Sequence, residues 1–359
     1  MGQQRRLRVV QWATGGVGRA AIQGVLAHPE LELAGAWVHS PDKAGRDVGE
    51  LAGLDPVGVH AVTSLAEVIA LGADCVVYAP LVPDETEVAA LLRSGANVVT
   101  PVGWIYPDPA RTGTLREACL AGGSTLHGTG IHLGGITERF PLMVSAVTGS
   151  VTHVRAEEFS DLRTYDAPDV VRHVMGFGGT VEEAEASPMA RLLGGGFKAS
   201  VRMVVAELGF RAEEVRTTAE NAVATAPIDS PIGVIEPGLV AGRRFRWDAL
   251  VDGEPVVTAA VNWLMGEEHL AGSDGRPWGF GPDGERFEIE VTGDPSVRMT
   301  LHGLQPESVA AGLVRNPGVV STANHCVSAI PYVCAAEPGL RTYLDLPLVA
   351  GRAAPHLAR

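Results

Sequence analysis

The run from Val9 to Leu26, VVQWATGGVGRAAIQGVL, constrains this chain more than any other stretch: a short apolar β-type segment enters a small-residue turn and leaves as a helix. The turn, Ala13-Thr14-Gly15-Gly16-Val17-Gly18, is a variant of the GxGxxG pattern with Ala13 in the first glycine's place. Small residues in this setting let a pyrophosphate approach the free backbone N–H groups at a helix N-terminus, where the helix dipole favours an anion. Gly15 permits the close approach and Gly18 lets the helix pack on the strand. A glycine turn can also merely end a strand. The strand-turn-helix context, opening a series of similar units, favours dinucleotide binding.

From Leu7 to about Gly130 the pattern keeps alternating. The apolar runs LRVVQWA, LELAGAWV, ADCVVYAP, NVVTPV and STLHGTG are separated by helical stretches at 18–28, 64–71, 84–94 and 111–121. Thr63-Ser64 followed by Glu67 reads as a capped helix start. This is the signature of a doubly wound parallel sheet, so the chain is α/β in class with a Rossmann domain over residues 1–130. Beyond Gly130 longer strands with hairpin signals appear: RFRWDALV and PVVTAAVNWLM around Asp252-Gly253, then FEIEVTG and SVRMTLHG around Asp294-Pro295. They imply an α+β domain on a mixed or antiparallel sheet over residues 131–315. LLGGGFKAS and GSDGRPWGFGPDG read as mobile loops. Residues 316–359 form a closing segment, with an apolar helix over 319–336 and with Asn324-His325 as a weak site candidate.

At 359 residues the chain is long enough for two cores. Its 46% apolar and 19% charged residues describe a globular protein. A formal charge of −14 repels nucleic acid and anionic membrane surfaces. The opening MGQQRRLRVV lacks the unbroken apolar run of a signal peptide or membrane span, and the expected location is cytoplasmic. Cys75, Cys119, Cys326 and Cys334 are scattered, with no CxxC pair or adjoining histidines, so free thiols are expected and a metal site is not.

After the second strand come His39-Ser40-Pro41-Asp42-Lys43, with Arg46 just beyond. An NAD site sets an acid at that strand end for the ribose hydroxyls, whereas a 2′-phosphate needs donors and positive charge. His39, Ser40, Lys43 and Arg46 favour NADP. NAD stays open if Asp42 reaches the ribose. Ala79-Pro80 and Thr100-Pro101 end two further strands, and ligands of open parallel sheets lie beyond such carboxyl ends, so Ala79, Pro80 and Thr100 border the expected nicotinamide position.

These segments, together with HSPDKAGRDVGEL, NVVTPVGW, HGTGIHLGGITERFPL, AEEFSDLRTYDAPDVVRHVMGFG and SAIPYVCAAEPGLRTYLDLP, resemble the dihydrodipicolinate reductase-like superfamily, most of all the 2,4-diaminopentanoate dehydrogenases and native amine dehydrogenases. The resemblance implies a Rossmann domain, an α+β substrate domain, a C-terminal segment returning to the first, and a homodimer with the active site in the interdomain cleft. The paired-histidine motif with a following lysine of true dihydrodipicolinate reductases is absent, Glu157-Glu158-Phe159-Ser160-Asp161 standing in that region. The amine dehydrogenases carry a catalytic glutamate after the strand that here reads Thr100-Pro101-Val102-Gly103-Trp104, and Gly103 holds its position.

Four candidates remain for the chemistry. His132, just past a strand end, can serve as acid or carbonyl polariser, or simply pack and cap a hinge. Trp104 can wall the nicotinamide side or belong to ordinary core. Glu158 and Asp161 can replace the missing carboxylate or be surface acids of a sheet. Arg163, Tyr165 and His173 can orient substrate, and Met175-Gly176-Phe177-Gly178 resembles a pocket-lining turn. No nucleophilic triad or glycosidase pair stands out. The reading is an NAD(P)H-dependent oxidoreductase that interconverts a small ketone or imine with its amine. A carbonyl or imine reductase working without ammonia and an inactive cofactor-binding sensor are the alternatives.

Overall fold

The computed structural model describes residues 5–357; Met1–Gln4 and the last two residues of the segments read above lie outside it. The chain divides into two compact units, one made of residues up to Gly134 and from Val319 onward, the other of Gly135–Gly318. The first unit opens with β1 (Leu7–Trp12), α1 (Gly16–Ala27) and β2 (Leu31–Trp37). It continues through α2 (Val48–Leu51), β3 (Ala61–Val62), α3 (Leu65–Ala70), β4 (Cys75–Tyr78), α4 (Glu85–Arg93), β5 (Asn97–Thr100), α5 (Gly113–Gly122) and β6 (Thr125–Gly128). Helix starts follow local chemistry. Ser64 and Glu67 form a reciprocal capping box on α3, and Asp84 accepts from the Thr86 amide at 2.7 Å to start α4.

The second unit holds α6 (Phe140–Ser145), β7 (Gly149–Asp161), α7 (Val181–Ala186), α8 (Met189–Leu208) and β8 (Glu214–Ala224). There follow β9 (Val240–Val251), β10 (Glu254–Leu264), β11 (Leu270–Gly272), β12 (Arg286–Asp294), β13 (Val297–Leu301) and α9 (Val309–Val314). Over the described residues its seven strands lie in the order β11-β8-β9-β10-β7-β12-β13, with β10 and β7 parallel and the other neighbours antiparallel. The β9–β10 hairpin turns at Asp252 (φ 52°) and Gly253 (φ 85°), two left-handed residues whose twist suits a two-residue hairpin.

One expected loop is a helix. LLGGGFKAS lies inside α8, because its small residues form a face rather than a break: Gly194, Phe197, Ser200, Val201 and Val204 are buried at helical spacing. Phe197 stacks on Trp247 of β9 with ring centroids 4.1 Å apart, and a Cβ on Gly194 would touch Trp247 at 4.0 Å. Burial of that stripe outweighs the roughly 1 kcal/mol by which each glycine disfavours a helix.

The chain ends with α10 (Pro317–Cys334), which from Val319 on belongs to the first unit, and β14 (Gly339–Leu340), which pairs parallel with β6. His325 sits within this helix. The first sheet, order β14-β6-β5-β4-β1-β2-β3 over the described residues, is parallel throughout. Its side chains alternate between two cores: Val9, Cys75, Val77 and Val99 face a cluster with α1 and α10, while Val10, Trp12, Val76 and Tyr78 face one with α4 and α5. All four cysteines are free thiols. No described helix is long and apolar enough to cross a membrane.

Candidate cofactor and active site

Strand order reverses at β1, which has β2 on one side and β4 on the other, and this switch point is where open α/β sheets bind ligands. The turn after β1 is built for it. Ala13 adopts φ 72°, the left-handed conformation that the motif's first glycine normally supplies, at a cost of about 1–2 kcal/mol. Buried Gln11 offsets part of that cost, its side-chain amide donating to the carbonyls of Trp12 at 2.8 Å and Ala13 at 3.1 Å. The Ala13 amide donates to Trp37 at 2.9 Å, joining the turn to the end of β2. A Cβ on Gly18 would lie 2.1 Å from the Ala13 carbonyl oxygen, so α1 can sit this close only with glycine there.

Gly15 caps α1 without any side-chain hydrogen bond, and a Cβ on it would meet open space. Gly15 and Gly16 are exposed, Thr14 and Val17 half-buried, and the first turn of α1 carries no acid. Uncapped amides at an exposed helix N-terminus, with room in front of them, fit a pyrophosphate.

Beyond β2, His39 is exposed and Ser40 starts a short turn over Pro41–Lys43; Lys43 is half-buried, while Asp42 and Arg46 are exposed. The next acid, Asp47, is occupied. It accepts from the amides of Val57, Gly58, Gly49 and Glu50, which hold its carboxyl below the usual range against the opposing effect of burial. Under the strand ends Trp12 stacks on Trp37 at 4.5 Å, with Tyr78 at 5.3 Å from Trp12 and His39 at 6.1 Å from Trp37.

The ends of β4, β5 and β6 lie on the same sheet edge. The Ala79 amide donates to Trp12 at 3.3 Å, and half-buried Pro80 leads into exposed Leu81 and Val82. Thr100 is buried; its hydroxyl accepts from Val102 at 3.2 Å and its carbonyl from Thr129 at 2.8 Å. The 103–105 backbone lies against Gly128, where a Cβ would be 2.3 Å from the Gly103 carbonyl oxygen. Gly103 itself has open space where a side chain would project. Trp104, at φ 54°, packs on the α4–α5 core beside Val102. His132 is half-buried in the extended turn after β6.

Glu158 and Asp161 belong to the second unit. Three residues apart on β7, they point to opposite faces and form no joint pair. Glu158 accepts from Trp263 Nε1 at 3.1 Å and Ser160 at 2.8 Å, whereas Asp161 is buried, ion-paired to Arg163 at 2.6 Å, and caps the following turn. Asp161 and Arg163 line a cavity of about 640 Å³ together with Asp229, Glu267, His269 and Glu285. Tyr165 and His173 are exposed. The Met175–Gly178 turn is packed: Met175 and Phe177 are buried, and Arg243 donates to the Met175 carbonyl at 2.6 Å.

The loop residues 13–18, His39, Ser40, Ala79, Pro80, Thr100, Trp104 and His132 thus gather in the first unit, and Glu158 and Asp161 do not. Sequence reasoning missed Gln11, whose signal is one amide inside an apolar strand. It also missed a cluster beside β6, where buried Thr129 is hydrogen-bonded through Oγ1 to half-buried His325 Nδ1 at 2.9 Å and to Tyr343, with Tyr343 3.2 Å from His325. Thr129 lies 196 residues before His325 and 214 before Tyr343, so no local pattern marks it.

Comparison with known proteins accords with this architecture. The family model of the 2,4-diaminopentanoate dehydrogenase C-terminal domain matches residues 136–355, and that of the dihydrodipicolinate reductase N-terminus matches residues 9–87. The chain is 32% identical to an amine dehydrogenase of Streptomyces virginiae over 95% of its own length and 96% of the relative's. It is 26% identical to the 2,4-diaminopentanoate dehydrogenase of Acetoanaerobium sticklandii over 68% of this chain and 64% of that one. The structure of an amine dehydrogenase from Mycobacterium smegmatis shares the fold, with a TM-score of 0.77 at 22% identity and 96% and 97% coverage. A glycine turn shaped for a dinucleotide, on a chain similar along its whole length to such enzymes, makes this protein a nicotinamide-dependent oxidoreductase, and it belongs to the 2,4-diaminopentanoate and amine dehydrogenase family.

Proposed function

We propose that this chain is an NADPH-preferring amine dehydrogenase that converts a small ketone and ammonia into a primary amine, and the amine back again. The full-length likeness to an amine dehydrogenase carries this reading. The amides of Thr14 to Gly18 would hold the pyrophosphate, with Ala79, Pro80 and Thr100 flanking the nicotinamide. His39, Ser40, Lys43 and Arg46 supply donors and charge for a 2′-phosphate, and the capture of Asp47 by backbone amides removes one competing acid. Bound coenzyme supplies or accepts the hydride.

The chain's own residues handle position and protons. The His132 imidazole, after β6 on the cofactor edge, is the group offered to hold a proton near the substrate nitrogen. Asp161, engaged by Arg163, serves as an anchor for that arginine.

A second reading, a carbonyl reductase that dispenses with ammonia, draws on Gly103, which offers no carboxylate on that turn. Purified protein with NADPH and a panel of small ketones, assayed with and without ammonium, separates the two. The expected outcome is coenzyme oxidation that depends on ammonium and runs faster with NADPH than with NADH. Equal rates without ammonium would instead establish the carbonyl reductase, and coenzyme binding with no turnover a sensor.

A further inference from the structure

Two cysteines far apart in sequence meet at the amino edge of the first sheet. Cys75 opens β4 and is fully buried, whereas Cys334 closes α10 and is half-buried. The Cys334 Sγ lies 3.8 Å from the carbonyl oxygen of Asp74, the residue just before Cys75, and Cys334 packs against the core cluster that holds Cys75. Cys334 also lines a cavity of about 700 Å³ with Arg5, Leu7 and Tyr332, which gives a small solute access to its sulfur. The other two thiols have no such arrangement. Cys119 is buried in the opposite core cluster, and Cys326 is buried eight residues earlier in α10, about 12 Å along the helix.

We infer that Cys75 and Cys334 form an oxidation site at which a peroxide joins the start of β4 to the end of α10 through a disulfide. The Cys334 sulfur takes one oxygen from hydrogen peroxide and becomes a sulfenic acid as the O–O bond breaks and water leaves. The Cys75 sulfur then attacks it, forming the S–S bond and releasing a second water. One peroxide is reduced and two thiols are oxidised. Burial first, and then the neighbouring thiol, push the Cys75 thiol well up and slow its own reaction with the oxidant, so half-buried Cys334 at the cavity meets the peroxide first. The bond closes a ring containing the whole second unit. It also pins α10, whose Val327 packs against Gly24 of α1 with only 3.3 Å to a Cβ built there.

The test treats native protein with equimolar hydrogen peroxide, then denatures, alkylates and maps it by mass spectrometry, for wild type and Cys334→Ala. Wild type should fall from four free thiols to two, yield one linked peptide pair carrying Cys75 and Cys334, regain all four with dithiothreitol, and melt several degrees higher when oxidised. Cys334→Ala should keep its three thiols. Survival of all four thiols in wild type, a link between any other pair, or Cys334 driven to sulfinic acid without a link would each overturn the inference. Thiol counts need no turnover, so the result is independent of the amine dehydrogenase reading.

Discussion

Glu285 carries a large acid shift, and it yields a stability prediction. Burial lifts its carboxyl to about 7 from the ordinary 4.5, with Asp161 and Glu267 pushing the same way, and the Asp161 amide and Arg163 opposing. The folded chain therefore holds this proton more tightly than the unfolded one. The associated stability is complete below about pH 4.5 and is lost as pH rises through about 7. Glu285→Gln keeps an acceptor for the Asp161 amide and cannot ionise. Wild type should lose on the order of 1 kcal/mol relative to Glu285→Gln between about pH 5 and pH 8, screening of a partly exposed group allowed for. Urea melts at the two pH values check it, and parallel behaviour of the two proteins contradicts it. Single residues were the least legible scale. The sequence shows an alanine where the phosphate motif has glycine, but that Ala13 keeps the glycine's left-handed backbone, held by Gln11, depends on contacts between β1 and α1. The opposite facing of Glu158 and Asp161 follows from strand alternation, whereas the engagement of Asp161 by Arg163 needed the fold.

At the level of elements, strong periodicity made the sequence readable and its absence did not. The β9–β10 hairpin is visible because alternation runs up to an Asp-Gly turn and resumes after it. The two-residue strands β3 and β14 carry no pattern of their own and exist because β2 and β6 offer parallel edges. Helix α8 shows the conflict between propensity and burial most clearly. Three consecutive glycines read as a loop, yet a stripe packed on Trp247 makes them helical. Gly195 lies on the exposed side of that helix, where a Cβ would meet nothing within 4 Å. Gly195→Ala should therefore raise stability by about 0.5–1 kcal/mol, read from denaturant midpoints. A destabilised variant would contradict the account of α8.

For the whole molecule, two sheets of different kinds divide the work. The parallel sheet is buried on both faces and gathers the cofactor-loop residues at its carboxyl edge, and the mixed sheet supplies the second unit's acids. The alternation of βα units announced the first and the hairpins the second, because both patterns are set by burial along single segments. The Thr129–His325–Tyr343 cluster stayed hidden because closure of the chain on itself creates it. A net charge of −14 opposes an anionic coenzyme at long range, so under the proposed function binding would rest on short-range amides and on Lys43 and Arg46. Titration of wild type and Gly18→Ala with NADPH tests that directly, followed by calorimetry and with circular dichroism to verify folding. Wild type should bind one coenzyme per chain saturably, and the folded variant should bind at least about tenfold more weakly, about 1.4 kcal/mol. A Gly18→Ala protein that binds as tightly as wild type, or a wild type that binds no nicotinamide coenzyme, would contradict the assignment of the cofactor site.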